Sequence, residues 1–195
     1  MNAKLLMLVF EVALIPNLVM SQSTFVLRNK YGGVNAPIFD AMGTPLAGTN
    51  YYAELYGGVT SISLAPATTV DSFAMPVIVP FLGGTNAGYI LAGQVAVAWD
   101  APPGSFAWLQ LRAWDASLGA TYEDVMALGL GGYGESSLFY ALGGNPTLLP
   151  AGTPGPLTGL QSFNLRQVVP EPSAAALLGL GAASSWWAGR RKRRS

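Results

Sequence analysis

Phe106-Ala107-Trp108-Leu109-Gln110-Leu111-Arg112-Ala113-Trp114 is the stretch that decides the fold class. Leu109, Leu111 and Ala113 fall on one side of an extended chain, and Phe106, Trp108, Gln110, Arg112 and Trp114 on the other. Successive side chains of a strand point to opposite faces, so the alternation predicts a strand with an apolar core face. Pro102-Pro103-Gly104 reverses the chain just before it, and residues 88–99 form a second long apolar run. Two long runs joined by a short loop predict an antiparallel pair, the unit of a meander or sandwich.

Working outward, residues 24–28 alternate with Phe25 and Leu27 on one side, and residues 51–56 alternate with Tyr51, Ala53 and Leu55 against Tyr52, Glu54 and Tyr56. Both read as strands, the second closed by Gly57-Gly58. Residues 36–39, 61–64, 77–81 and 137–142 read as shorter ones. Pro66, Pro76 and Pro80 cannot donate to a ladder, which assigns their segments to edges or irregular crossings. The chain over 145–159 carries Pro146, Pro150, Pro154 and Pro156 and reads as a loop. Residues 160–168 form a last strand, with Phe163 and Leu165 inward.

One helix is predicted, over 121–129. Thr121 caps it, Glu123 and Asp124 complement the positive end of its dipole, and Gly129 stops it. Asp124 stands where the capping box usually has Glu or Gln. About two turns of helix suit a crossing over one end of a sandwich. Frequent turns, short strands and a single short helix predict an all-β fold, an antiparallel β-sandwich.

The end of the chain reads differently. Val169 leads into Pro170-Glu171-Pro172, then the uncharged run 173–189, then Arg190-Arg191-Lys192-Arg193-Arg194. The 17 residues of the run would make a helix of roughly 25 Å, near the short limit for spanning a bilayer core of about 30 Å. Trp186 and Trp187 suit the headgroup level, and the basic residues resist translocation, which leaves the body outside the cytoplasm. This order of Pro-Glu-Pro, apolar span and basic cluster resembles the PEP-CTERM sorting signal of Gram-negative bacteria. Pro170, Glu171, Pro172 and Ser173, the run Leu177-Leu178-Gly179-Leu180-Gly181 and Arg190, Arg191, Lys192, Arg193 and Arg194 carry the likeness. The resemblance implies a substrate of an exosortase, a membrane enzyme acting on the tail, and an association with exopolysaccharide and biofilm matrix. The plain alternative is an ordinary C-terminal anchor.

The start of the chain, residues 1–21, is similar to a secretory signal peptide: Lys4, then an apolar region interrupted by Glu11, with small residues for a cut after Ser21 or Ser23. The expected organisation is therefore a leader (1–21), an exported β-domain (22–168) and a sorting tail with a single transmembrane helix (169–195). The domain is also similar to β-rich domains found in front of such tails, through Leu111-Arg112-Ala113-Trp114-Asp115 and Leu160-Gln161-Ser162-Phe163; no activity comes with that likeness.

The formal net charge of zero hides a division, because the body holds four basic residues, Arg28, Lys30, Arg112 and Arg166, against eight acids. A mildly acidic body argues against a nucleic-acid partner, which needs a basic face. The absence of Cys and His excludes disulfides, Cys/His zinc sites and Ser-His-Asp or Cys-His catalysis. No metal and no cofactor is expected.

Gly129-Leu130-Gly131-Gly132-Tyr133-Gly134 has the glycine spacing of a dinucleotide loop, but that chemistry needs a strand before it and a helix after it. Here the order is reversed, and a connection is the better reading. Asp100, Asp115, Glu123 and Asp124 would supply oxygens for calcium if strand ends and the helix start met; solvation and capping account for them equally. Asp100 and Asp115 flank the long pair of runs as glycosidase acids would. Trp108, Arg112 and Trp114 share one strand face, beside Tyr52, Glu54 and Tyr56 on another strand. They form either a ligand face that stacks on sugars, a cation–π pair, or core. The function expected is an exported, noncatalytic surface or extracellular-matrix protein, processed by an exosortase and associated with exopolysaccharide. The alternative is a secreted hydrolase using carboxylates alone.

Overall fold

The computed structural model describes residues 22–71, 73–97 and 101–168. The expected leader, the Pro170-Glu171-Pro172 motif, the span 173–189, the basic cluster and Asp100 lie outside the described residues. Among those described, no helix is long and apolar enough to cross a membrane.

The described chain is mostly β and antiparallel. Its strands are β1 (Ser23–Arg28), β2 (Lys30–Tyr31), β3 (Val34–Asn35), β4 (Gly48–Gly58), β5 (Ala65–Pro66), β6 (Ile78–Phe81), β7 (Leu91–Val97), β8 (Phe106–Asp115), β9 (Tyr133–Glu135) and β10 (Phe139–Leu142), with helix α1 (Tyr122–Leu128) between β8 and β9. β10, β8, β4 and β5 run side by side in a six-stranded sheet, to which β6 adds along β4 and β9 along β8. β1 and β7 form a separate two-stranded sheet, and β2 and β3 a small hairpin.

The alternation that predicted β8 is seen in its burial: Ala107, Leu109, Leu111 and Ala113 are fully buried. They meet Phe25 and Leu27 of β1 and Val95 and Val97 of β7 in one core. The smaller sheet thus covers the inner face of the larger. Gly57 lies at the closest approach of the two, where a Cβ would overlap Val97 and Leu109. Both edges are joined as well. Thr24 exchanges backbone bonds with Gly144, just past β10, and Thr68, just past β5, does so with Ala96 of β7. Joined edges leave fewer unpaired strand groups to template aggregation.

Several expectations are corrected. β7 and β8 are not a hairpin: β7 pairs with β1, and β8 lies between β4 on one side and β10 and β9 on the other. The proline-rich connection carries the chain from one sheet to the other. β4 offers β8 a continuous register from Tyr51 opposite Asp115 to Gly58 opposite Trp108, a longer ladder than a hairpin would have. Helix α1 does not cross an end; it lies on the outer face of the large sheet, against β8 and β9. Its limits match the reading, with Thr121 and Asp124 in a reciprocal capping box and Gly129 left-handed at φ 68°. Residues 160–168 form no strand, only a bridge from Phe39 to Asn164. Their backbone bonds go first to Phe39 and then to Gly132 and Tyr133, and a changing partner builds no ladder. Leu160 and Leu165 are buried all the same. Residues 36–39 likewise contribute a single bridging residue, Phe39. The proline-bearing β5 and β6 each pair with β4, and Phe81 at the end of β6 also bridges Ile90.

Candidate functional site

The outer face of the large sheet holds Tyr52, Glu54 and Tyr56 of β4 and Phe106, Trp108, Arg112 and Trp114 of β8, while Tyr51 and Asp115 fall on the opposite face. Register arranges them in rows. Tyr52, Trp114 and Tyr133 stand in line across β4, β8 and β9; Glu54, Arg112 and Glu135 form the next row. Tyr56 pairs with Gln110, then Gly58 with Trp108 and Tyr140, and finally Phe106 with Leu142 of β10.

Trp108, Arg112 and Trp114 therefore share a face, as alternation requires, but not an exposed one. Trp114 is 0% exposed. Tyr122 and Val125 of α1 cover it, Tyr133 flanks it, and Tyr52 lies 6.0 Å away between ring centroids. Its buried Nε1–H has no hydrogen-bond partner among the described residues, so the ring serves by its apolar bulk. The ring of Trp114 is therefore covered by α1 and does not lie on the open part of the face. The helix begins seven residues beyond the end of β8 and folds back over this part of the face; the sequence shows the helix but not where it lands.

Arg112 lies between two tyrosines, its guanidinium carbon 3.7 Å from the centre of the Tyr56 ring and 5.0 Å from that of Tyr122. The expected tryptophan partner is thus replaced by tyrosines. Arg112 Nη1 donates to Glu123 Oε1 at 3.1 Å, and its Nε donates to Gln110 Oε1 at 3.0 Å. The Tyr56 hydroxyl donates to the same Glu123 oxygen at 2.6 Å. A second cluster ties the other side of the helix: the Tyr122 hydroxyl donates to Glu135 at 2.5 Å, and Arg166 bonds Glu135 at 2.6 Å and Tyr133 at 3.1 Å. With its charge met by Glu123 and its faces by rings, Arg112 fastens α1 to the sheet.

Glu54 stands under this network, opposite Arg112 in register and only 3% exposed. Burial, reinforced by the charge of Glu123, pushes its carboxyl up from the usual 4.5 to about 7, while the Tyr56 hydroxyl and Arg112 pull the other way. Burial and their carboxylate partners likewise push the Tyr56 and Tyr122 phenols above their usual range. Nothing in the alternation of residues 51–56 distinguishes Glu54 from a solvated carboxylate.

The far end of the same face is open. Phe106 is 49% and Tyr140 is 52% exposed. Their rings stack with centroids 5.0 Å apart and planes at 14°, and Trp108, half-buried, lies 5.1 Å from Tyr140. Leu142 extends the patch. Tyr140 was legible in principle, because Phe139 and Ala141 alternate inward around it. From the row of Trp108 to the row of Asp115 is seven residue steps along β8, about 23 Å at strand rise. At that opposite end a cleft is lined by Asp40, Tyr51, Asp115, Arg166 and Val168, and there the described chain ends.

The remaining acids have local duties. Asp115 accepts from the Ser117 backbone and hydroxyl, and Asp124 caps α1. Among the described residues no three acidic side chains gather as metal ligands. In the glycine run, Gly131 and Gly132 take φ of 96° and 78°, and a Cβ on either would overlap Gln167 or Leu118. The run is a closely packed connection from helix to strand, not a phosphate loop.

Comparison with known proteins bears on the end of the chain. Residues 168–194 match the PEP-CTERM protein-sorting motif. No curated protein and no solved structure matches the chain. The match begins at Val168, at the end opposite the aromatic patch. It marks an exported protein that is sorted by an exosortase.

Proposed function

We propose that the chain is a noncatalytic surface or extracellular-matrix protein whose rings Phe106, Trp108 and Tyr140 hold exopolysaccharide. The observation that carries this is the ring patch itself, three aromatics on two neighbouring strands, two of them about half exposed. Exposed apolar patches of this kind mark interaction sites. The C–H face of a sugar ring is apolar and flat enough to lie on such rings, while its hydroxyls stay in water. The patch lies at the pole away from the sorting tail, so a body held by that tail would turn its rings outward. Before exosortase action, the span 173–189 would anchor the chain on the outer side of the inner membrane. In this reading the domain is a rigid antiparallel β-sandwich that carries the patch, and the carboxylates serve structure instead of hydrolysis.

The test is retention of the purified protein on its host's exopolysaccharide in affinity electrophoresis. Trp108→Ala with Tyr140→Ala should weaken binding at least tenfold without release of reducing ends by either protein. Unchanged binding by the double variant, or turnover of the polysaccharide, would overturn the reading.

A further inference from the structure

Two carboxylates, Glu54 and Glu123, act on the one guanidinium of Arg112. Glu54 of β4 stands opposite Arg112 of β8, and side chains directly opposite on neighbouring strands are within reach of one another. The hydrogen bonds of Arg112 nevertheless go to Gln110 and to Glu123 of α1, at 3.0 and 3.1 Å. We propose that α1 is a lid, and that Glu54, when ionised, draws Arg112 away from Glu123 and loosens the helix over Trp114. The proposal adds a moving part to the ring face and does not depend on what the open rings bind.

The closed position has few holds and leaves costs beneath it. Glu123 ties α1 to both β8 and β4, because the Tyr56 hydroxyl donates to the same oxygen that Arg112 bonds. Tyr122 ties the helix to β9 through Glu135, whose charge is met by Arg166. Under the helix Trp114 is fully buried, with its Nε1–H unpaired among the described residues. An unmade bond at a buried donor costs free energy, and an opening that admits water or a ligand hydroxyl relieves it. Glu54 is the second buried group that the open position would return to water.

The groups that face Glu54 set the direction of the exchange. Tyr56 stands on its own strand, Arg112 on β8, Glu123 and Tyr122 on α1, and beyond Arg112 lies Glu135 of β9, already paired with Arg166. From β6 it meets Ile78, which does not titrate. Glu123 is half exposed, so water can take over its charge if Arg112 leaves; Glu54 is 3% exposed and has no such recourse. With α1 closed, burial holds the Glu54 carboxyl at about 7, against 4.5 in water. The closed lid is therefore favoured in acid, and that preference is lost as pH rises through the closed-state value. Opening would add Tyr52 and Trp114 to the row of Phe106, Trp108 and Tyr140.

The chain has no cysteine of its own, so one introduced thiol reports on the lid. Val125 faces Trp114 from α1, and Val97 lies between the two sheets; both are fully buried. The test is the rate at which a pyridyl disulfide labels full-chain V125C and V97C at pH 5 and pH 8, each relative to a free cysteine peptide at the same pH. V125C should lose at least about tenfold of its protection between the two, while V97C stays protected. E54Q added to V125C should abolish the loss, and E123Q added to V125C should lower protection already at pH 5. Equal protection of V125C at both pH values, a parallel loss in V97C, a loss that survives E54Q, or protection unmoved by E123Q overturns the inference.

Discussion

Replacing Glu54 with Gln should stabilise the protein at alkaline pH and leave it nearly unchanged in mild acid. Glu54 is a carboxyl in a site 3% exposed, facing Glu123, with its pKa raised from 4.5 to about 7. A raised folded-state pKa means that the native protein holds the proton more tightly than the unfolded chain. Below about pH 4.5 both states are protonated and the group costs nothing. Between 4.5 and 7 the unfolded chain loses its proton first, so stability falls as pH rises; above 7 the full penalty remains. At 1.36 kcal/mol for each tenfold change in proton affinity, that penalty approaches about 3 kcal/mol. Gln has the same shape and no charge to desolvate. Arg112 keeps Glu123 and Gln110 as partners, so the substitution does not strip the guanidinium. The assay is urea unfolding of wild type and E54Q at pH 4.5 and pH 8, read as the difference at each pH. E54Q should gain about 2–3 kcal/mol at pH 8 and under about 0.5 at pH 4.5. A variant no more stable than wild type at pH 8, or one with the same dependence on pH, would refute the argument.

Trp114→Ala should cost about 3–5 kcal/mol in thermal or chemical unfolding, as for a buried aromatic, whereas Trp108→Ala should cost under about 1.5 kcal/mol, since its ring is only half-buried; equal losses would contradict the two environments. Thr121→Ala removes the side-chain acceptor of the capping box and should lower stability by about 1 kcal/mol, with exchange of amide protons in α1 rising before that of β8. Replacing Pro170, Glu171 and Pro172 with Ala should leave the chain at the membrane and untrimmed, read by fractionation and C-terminal mass; delivery like wild type would mean that the motif does not direct sorting.

Features set by local chemistry were legible in the sequence. The core face of β8 follows from period-two alternation, because a strand has only two faces. The limits of α1 follow from Thr121, Asp124 and Gly129, whose bonds and backbone angles involve only the helix's own termini. The sorting motif at 168–194 is read as a linear signal and needs no fold to be recognised. The order of helix and strand around the glycine run is local information as well.

What alternation could not decide was the partner of each face. Period two says that Trp108, Arg112 and Trp114 lie together on one side; it does not say what covers that side. The return of α1 over β8 buries Trp114, leaves Phe106, Trp108 and Tyr140 open, and puts Glu54 where its carboxyl resists ionisation. Strand partners were hidden for a similar reason. β8 pairs with β4, more than fifty residues earlier, and that choice depends on the whole length of matched ladder, not on the short loop joining β7 to β8. The sequence by itself determined strand faces, helix ends and the sorting address, because each is encoded within a few neighbouring residues. Only the tertiary structure decided which face is covered and which is open, because burial is a property of distant segments brought together.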